Sequence, residues 1–215
     1  MSKSLYGIVL TDDVVSRIDH EAMRKGVNRS ALIEAILADH VGYTTPEKRI
    51  GGVFGFIEQA LKGGELVPFV EANKLTMSMK SSLDYRYRPT IRYELQLYRV
   101  PDGAIGKLSI ILRTQSLPLL RSIGEYFRLI QRLEAVYLGG LYDGRPPRWS
   151  TEDSRVERFI KLPKGRDYST EELAESIAEY VRMLDRLMKD YLYGLDAIEL
   201  ENRYLGCLNR GVGVI

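Results

Sequence analysis

One cysteine in 215 residues, Cys207, excludes an intrachain disulfide. Two histidines, His20 and His40, are too few to build a metal site of the His/Cys type, which argues against a metal-sensing role. The formal net charge is only +2, so bulk charge does not call for a polyanionic partner. Any nucleic-acid contact must come from a local patch, on a dimer rather than on one chain. No apolar run approaches the roughly 18–20 residues a membrane span requires. The start, Met1-Ser2-Lys3-Ser4-Leu5, lacks the regions of a signal peptide, so the expected location is the cytoplasm, without a membrane partner. There is no Gly-Lys-Ser/Thr phosphate loop, nucleophile elbow or zinc-ligand spacing. Asp12 and Asp13 read as first-turn helix charges rather than a catalytic pair. Neither an enzyme nor a cofactor is expected.

What is present is ordinary for a globular chain: 45% hydrophobic and 28% charged residues. Leu5-Tyr6-Gly7-Ile8-Val9-Leu10 is a short run of β-formers and predicts a strand. Thr11 is placed to cap a helix in which Val14, Val15, Ile18 and Ala22 recur at helical spacing. Gly26 ends it. Asn28 is the next N-cap, and Leu32, Ile33, Ile36, Leu37 and Val41 form a second apolar stripe closed by Gly42. A six-residue strand cannot satisfy its own backbone, and two short amphipathic helices cannot enclose a core. The segment is complete only if the strand pairs antiparallel with its copy in a second chain. Tyr6, Ile8 and Leu10 then face inward.

The sequence from Tyr6 through Val15, then Ile18-Asp19, Gly26 and Asn28-Arg29-Ser30-Ala31-Leu32-Ile33, resembles the ribbon-helix-helix family of Arc, MetJ and CopG over residues 4–42. The resemblance implies an intertwined dimer whose ribbon enters the major groove of double-stranded DNA. It also implies a phosphate clamp at the start of the second helix. Carried over by position, the outward ribbon residues are Leu5, Gly7 and Val9, and the clamp is Asn28, Arg29 and Ser30, with Lys3 as a further backbone contact. Leu, Gly and Val have no group that donates to or accepts from a base edge. They can only touch thymine methyls or leave the groove to water.

Beyond residue 43 the pattern changes. Thr45-Pro46 opens a helix with Ile50, Val53, Phe54, Ile57 and Leu61 on one face, stopped by Gly63-Gly64. From Leu75 to about Arg113 apolar residues alternate. Ile91, Tyr93, Leu95 and Leu97 form one strand and Leu108, Ile110 and Leu112 another, joined at Pro101-Asp102-Gly103. Leu83-Tyr85-Tyr87 reads as a third. Helical spacing returns at Leu119, Ile123, Phe127 and Ile130. Residues 139–152 read as a loop, and Arg155 to Leu162 fits a short strand. Ser169 and Glu172 form a capping box for a long helix, and a last one follows from about Leu195 to Leu208.

The expected architecture is α+β: a ribbon-helix-helix domain over 1–43, then a larger α+β domain over 44–215 with a small antiparallel sheet of about three strands and several long helices. The larger domain is expected to sense an effector, to extend a homodimer to a higher oligomer, or to contact another protein. Tyr85, Arg86, Tyr87, Arg88 and Arg92 interleave aromatic and cationic side chains, the composition that stacks and holds nucleotides or single strands on a sheet. The same composition also suits the wet face of an ordinary sheet. Two functions follow: a dimeric DNA-binding transcriptional regulator, or a ribbon-helix-helix dimer serving as an assembly or adaptor protein without sequence-specific DNA binding.

Overall fold

The computed structural model describes residues 5–70, 75–84, 88–142, 144–152 and 154–215. The chain is of mixed α+β class. It divides into two compact units, 1–49 and 50–215, six residues beyond the boundary expected from the composition shift at Gly42 to Thr45.

The first unit holds two helices, α1 (Asp12–Lys25) and α2 (Arg29–His40). Thr11 stands at the N-cap of α1 with extended backbone, yet its side chain makes no cap hydrogen bond, contrary to the capping role expected of it. The first turn is favoured instead by Asp12 and Asp13, whose carboxylates suit the positive end of the helix. Gly26 closes α1 in the left-handed region, at φ +64°, a conformation that costs a residue without Cβ nothing. Asn28 caps α2 through its side-chain oxygen, which accepts from the Ala31 N–H at 2.8 Å. Residues 5–10 are in no strand, where the sequence predicts one. The physical reason is that a strand exists only through its partner's hydrogen bonds, and a single chain supplies none here.

The second unit is built on α3 (Pro46–Leu61), whose first turn precedes the boundary, followed by β1 (Val67–Val70), β2 (Thr76–Ser82), β3 (Thr90–Asp102), β4 (Ala104–Leu112), α4 (Leu117–Tyr137), a 3-10 turn at Gly139–Tyr142, β5 (Trp149–Glu152), β6 (Arg155–Ile160), α5 (Thr170–Leu192) and α6 (Ala197–Leu208). The strands form one antiparallel sheet of six in the order β1-β2-β3-β4-β6-β5, double the number expected. The strand beside the hairpin is β2, Thr76–Ser82, which ends before Leu83 rather than running through the expected Leu83-Tyr85-Tyr87, of which Tyr85 and Tyr87 lie outside the described residues; β1 and β5 are four-residue edge strands. Trp149–Glu152 lies within the stretch read as loop, because Pro146-Pro147 and Gly144 mask a four-residue edge strand whose pairing comes from β6.

Alternation sets the two faces of the sheet. Ile91, Tyr93 and Leu95 on β3 stand opposite Leu112, Ile110 and Leu108 on β4, and all six are buried. Ile57 of α3, Phe127 and Ile130 of α4, and Ile177, Val181 and Leu184 of α5 complete this core. The other face carries Arg92, Glu94, Lys107, Arg155 and Glu157, half-buried by one another. The Ser169–Glu172 capping box of α5 is present with both reciprocal bonds.

Where β3 bulges between Leu97 and Asp102, Gly106 of β4 packs directly on its backbone. A Cβ at Gly106 would collide with the Gln96 carbonyl oxygen and meet Leu97 Cα at 3.2 Å. Gly106→Ala must therefore displace main chain, and a loss of about 1–3 kcal/mol is expected, read as a lower urea midpoint.

Candidate nucleic-acid interface and the polar centres of the second unit

In the first unit, only Ala22, Leu32 and Ala38 are buried among the described residues. Leu5 and Val9 are fully exposed, and Tyr6, Ile8, Leu10, Val14, Ile36, Leu37 and Val41 are exposed as well. Ala22 and Leu32 of the helix stripes are buried and Val15, Ile18 and Ile33 half-buried, but the rest of the stripes and the segment before them stay exposed. Isolated exposed apolar residues are normal, and this number within a unit of this size is high.

The polar side of this unit is arranged around the start of α2. The first-turn amides of a helix have no intrahelical acceptor and favour anions. Ser30 is exposed in that turn. The Arg29 side chain is not free: its Nε donates to Asp19 Oδ1 at 2.6 Å and its Nη2 to Asp19 Oδ2, a two-point bridge from α2 back to α1. The hydrogen bonds to Arg29 hold the Asp19 carboxyl below its usual range. Both side chains remain about half exposed. Residues 1–49 contain seven Lys or Arg and seven Asp or Glu, so affinity for a polyanion depends on local arrangement, not on excess charge. Lys3 lies outside the described residues, and Leu5, Gly7 and Val9 are exposed.

Of the aromatic–cationic set on the sheet, Tyr85, Arg86 and Tyr87 lie outside the described residues. Arg88 is exposed, with φ +41°. Arg92 points to the sheet face away from the core and pairs with Glu94 at 2.7 Å. That face is a ladder of opposite charges: Arg155 also bonds Glu94, at 3.2 Å, and Lys107 and Ser109 both donate to Glu157 at 2.9 Å. The Lys107 hydrogen bond is the largest reason that Glu157 sits below its ordinary 4.5. Its cations are matched by carboxylates, which is the arrangement of a solvated sheet surface rather than of a basic track.

Two buried polar centres in the second unit have no counterpart in the sequence reading. The first joins α4, β6 and α5. Arg158 is fully buried, and its Nε donates to both oxygens of Glu134 at 3.0 and 3.1 Å. Glu134 also accepts from Trp149 Nε1 at 2.8 Å and Tyr180 OH at 2.7 Å. The guanidinium lies 4.4 Å above the Tyr180 ring. Burial pulls the Arg158 guanidinium down, but the Glu134 charge outweighs it, and the group stays protonated. Trp149, at the start of β5, is therefore a structural donor.

The second centre joins α5 to the sheet. Asp185, 4% exposed, accepts from Ser81 Oγ at 2.9 Å and Tyr93 OH at 3.0 Å and pairs with Lys189 at 2.7 Å. Lys189 reaches on to Glu65 at 2.6 Å. Beside this chain of contacts, the end of α3 and the turn after it face α5 across a cleft of about 480 Å³. The first centre is invisible to periodicity because Arg158 occupies an inward position of β6 where the pattern expects an apolar residue. A charged residue at such a position is the one signal that could have disclosed it.

Among the described residues no group of His, Cys, Asp and Glu could hold a metal ion, and no helix is long and apolar enough to cross a membrane. No protein-family model, no curated protein and no solved structure matches this chain.

Proposed function

We propose that residues 4–42 form a ribbon-helix-helix unit that dimerises through residues 5–10, and that the dimer is a DNA-binding transcriptional regulator. The observation that carries this reading is the exposure of Tyr6, Ile8 and Leu10 together with Val14, Ile36 and Leu37 of the helix stripes, on a unit with three buried residues among those described. Pairing the segment with its copy satisfies the backbone and covers both stripes at once. Contact with DNA then falls to the start of α2, where the Asn28-capped amides and Arg29 approach phosphate. Asp19 competes with phosphate for Arg29, but exchange is easy because an exposed pair of this kind contributes little. Residues 44–215 serve effector sensing or further assembly.

Gel shifts on the gene's own upstream DNA, at low salt where phosphate contacts are strongest, test the proposal. Arg29→Ala should weaken binding to all sequences alike and lower the salt slope by about 1 for each Arg29 lost, two in the dimer. Asp19→Asn, which releases Arg29, should tighten binding. Absence of any low-salt complex would remove the DNA-binding half of the reading.

An adaptor or assembly role for the same dimer is favoured by one feature, the lack of any hydrogen-bonding side chain at Leu5, Gly7 and Val9. It predicts normal dimers without DNA affinity, and function that survives charge reversal at Lys3 and Arg29.

A further inference from the structure

The cleft between the end of α3 and α5 has an unusual charge layout. Arg182, Arg186 and Lys189 recur along one side of α5, and all three line the cleft. Arg182 donates to the Ala60 carbonyl and so holds the last turn of α3. Lys189 is mostly buried and neutralises Asp185 beneath it. Burial draws the Lys189 ammonium down, but its hydrogen bonds to Asp185 and Glu65 prevail and keep it above its ordinary value. The remaining acid on the cleft wall, Asp190, is matched by Arg203 at 2.7 Å.

Glu65 differs from the other acids. Its side chain is 81% exposed, yet its carboxylate sits against Lys189. The Lys189 hydrogen bond is the main cause of its lowered pKa, and the field of Arg186 adds to it. A carboxylate reaching in from solvent thus already occupies Lys189 in a cleft that Arg186 also lines. The Glu65 side chain itself is exposed, so holding it against Lys189 costs side-chain freedom that offsets part of the pairing. The volume is within the range of small-molecule sites.

We propose that this cleft binds a small anionic molecule, whose carboxylate or phosphate oxygens take Lys189 and Arg186 in place of the Glu65 side chain. Glu65 then acts as an internal competitor, and the cleft is the effector site of residues 44–215. The proposal rests on assigning an effector role to that region, and on nothing about DNA.

The test is calorimetric titration of the full chain with inorganic phosphate and, separately, with succinate, against sodium chloride at matched ionic strength. Saturable binding is expected for at least one of the two; phosphate alone assigns a phosphate-bearing ligand, and succinate alone a carboxylate. Glu65→Gln should strengthen that binding severalfold, since it removes the competitor. Arg186→Ala should weaken it about tenfold, the loss of one charge-assisted contact. Both positions are exposed, so the variants keep the fold, which circular dichroism verifies. No saturable binding even by Glu65→Gln, binding that sodium chloride reproduces, or binding indifferent to both substitutions would overturn the proposal. Gel shifts on the same preparations report DNA binding independently, so failure of one reading does not count against the other.

Discussion

Ile8→Asp is expected to convert a dimer into a monomer whose first forty-nine residues no longer hold their helices. Each chain of the proposed dimer would bury Ile8 once, so the substitution acts twice. Covering an isoleucine contributes about 1.5–3 kcal/mol, and placing a carboxylate in the same apolar seam costs at least as much again. Dimer affinity should therefore fall by about ten-thousandfold or more. Sedimentation equilibrium reads the mass, and the far-ultraviolet dichroism of a 1–49 fragment beside the full chain reads the lost helix. Val9→Asp supplies the internal control. Side chains alternate along a strand, so position 9 faces out when position 8 faces in, and its aspartate should leave the dimer intact. If both variants stay dimeric, or the unaltered protein is a monomer at every concentration, the ribbon pairing is not what covers these residues.

The second large effect belongs to the buried pair of the other unit. Glu134→Ala is expected to lower the unfolding free energy by about 3–5 kcal/mol, because it leaves the Arg158 guanidinium in the core without its counter-charge. Glu134 is 1% and Arg158 0% exposed, so solvent cannot take over. Adding Arg158→Met should return the share due to the unpaired charge. A deficit of about 1–3 kcal/mol should remain, since Trp149 Nε1 and Tyr180 OH still lack their acceptor. Urea unfolding of the two variants beside the parent measures both steps. A single substitution within 1 kcal/mol of the parent would mean that water enters and solvates the arginine, and the pair would not be a keystone of the α4–β6–α5 junction.

The two predictions differ in how far the sequence foretold them. The register at Ile8 and Val9 comes from alternation alone. Nothing in the spacing singles out Glu134, and Arg158 falls within the stretch Arg155 to Leu162 that reads only as a short strand. The helices were legible because their signals are local: a Ser169–Glu172 capping box, an Asn28 cap, a Thr45 hydroxyl that accepts from the Lys48 N–H at 3.2 Å, and apolar residues at helical spacing. Thr11 shows the limit, since the residue type suits a cap and the bond is not made. The hairpin of β3 and β4 was legible because Pro101-Asp102-Gly103 marks its turn, whereas the edge strands β1 and β5, of four residues each, are too short to show a period.

The sequence by itself determined the order of the long elements and which face of each is apolar, and it is the source of the proposal that residues 5–10 pair with a second copy. These follow from chemistry within one element, where the spacing of side chains is set by the backbone's own geometry. Only the tertiary structure decided that Glu134 and Arg158, 24 residues apart, would meet in the core. It also decided that Asp185 would reach Ser81 and Tyr93 on the sheet, and that Glu65 would cross to Lys189. Those contacts depend on how elements cross, and a buried charge is tolerated at a position only if another element brings its counter-charge there.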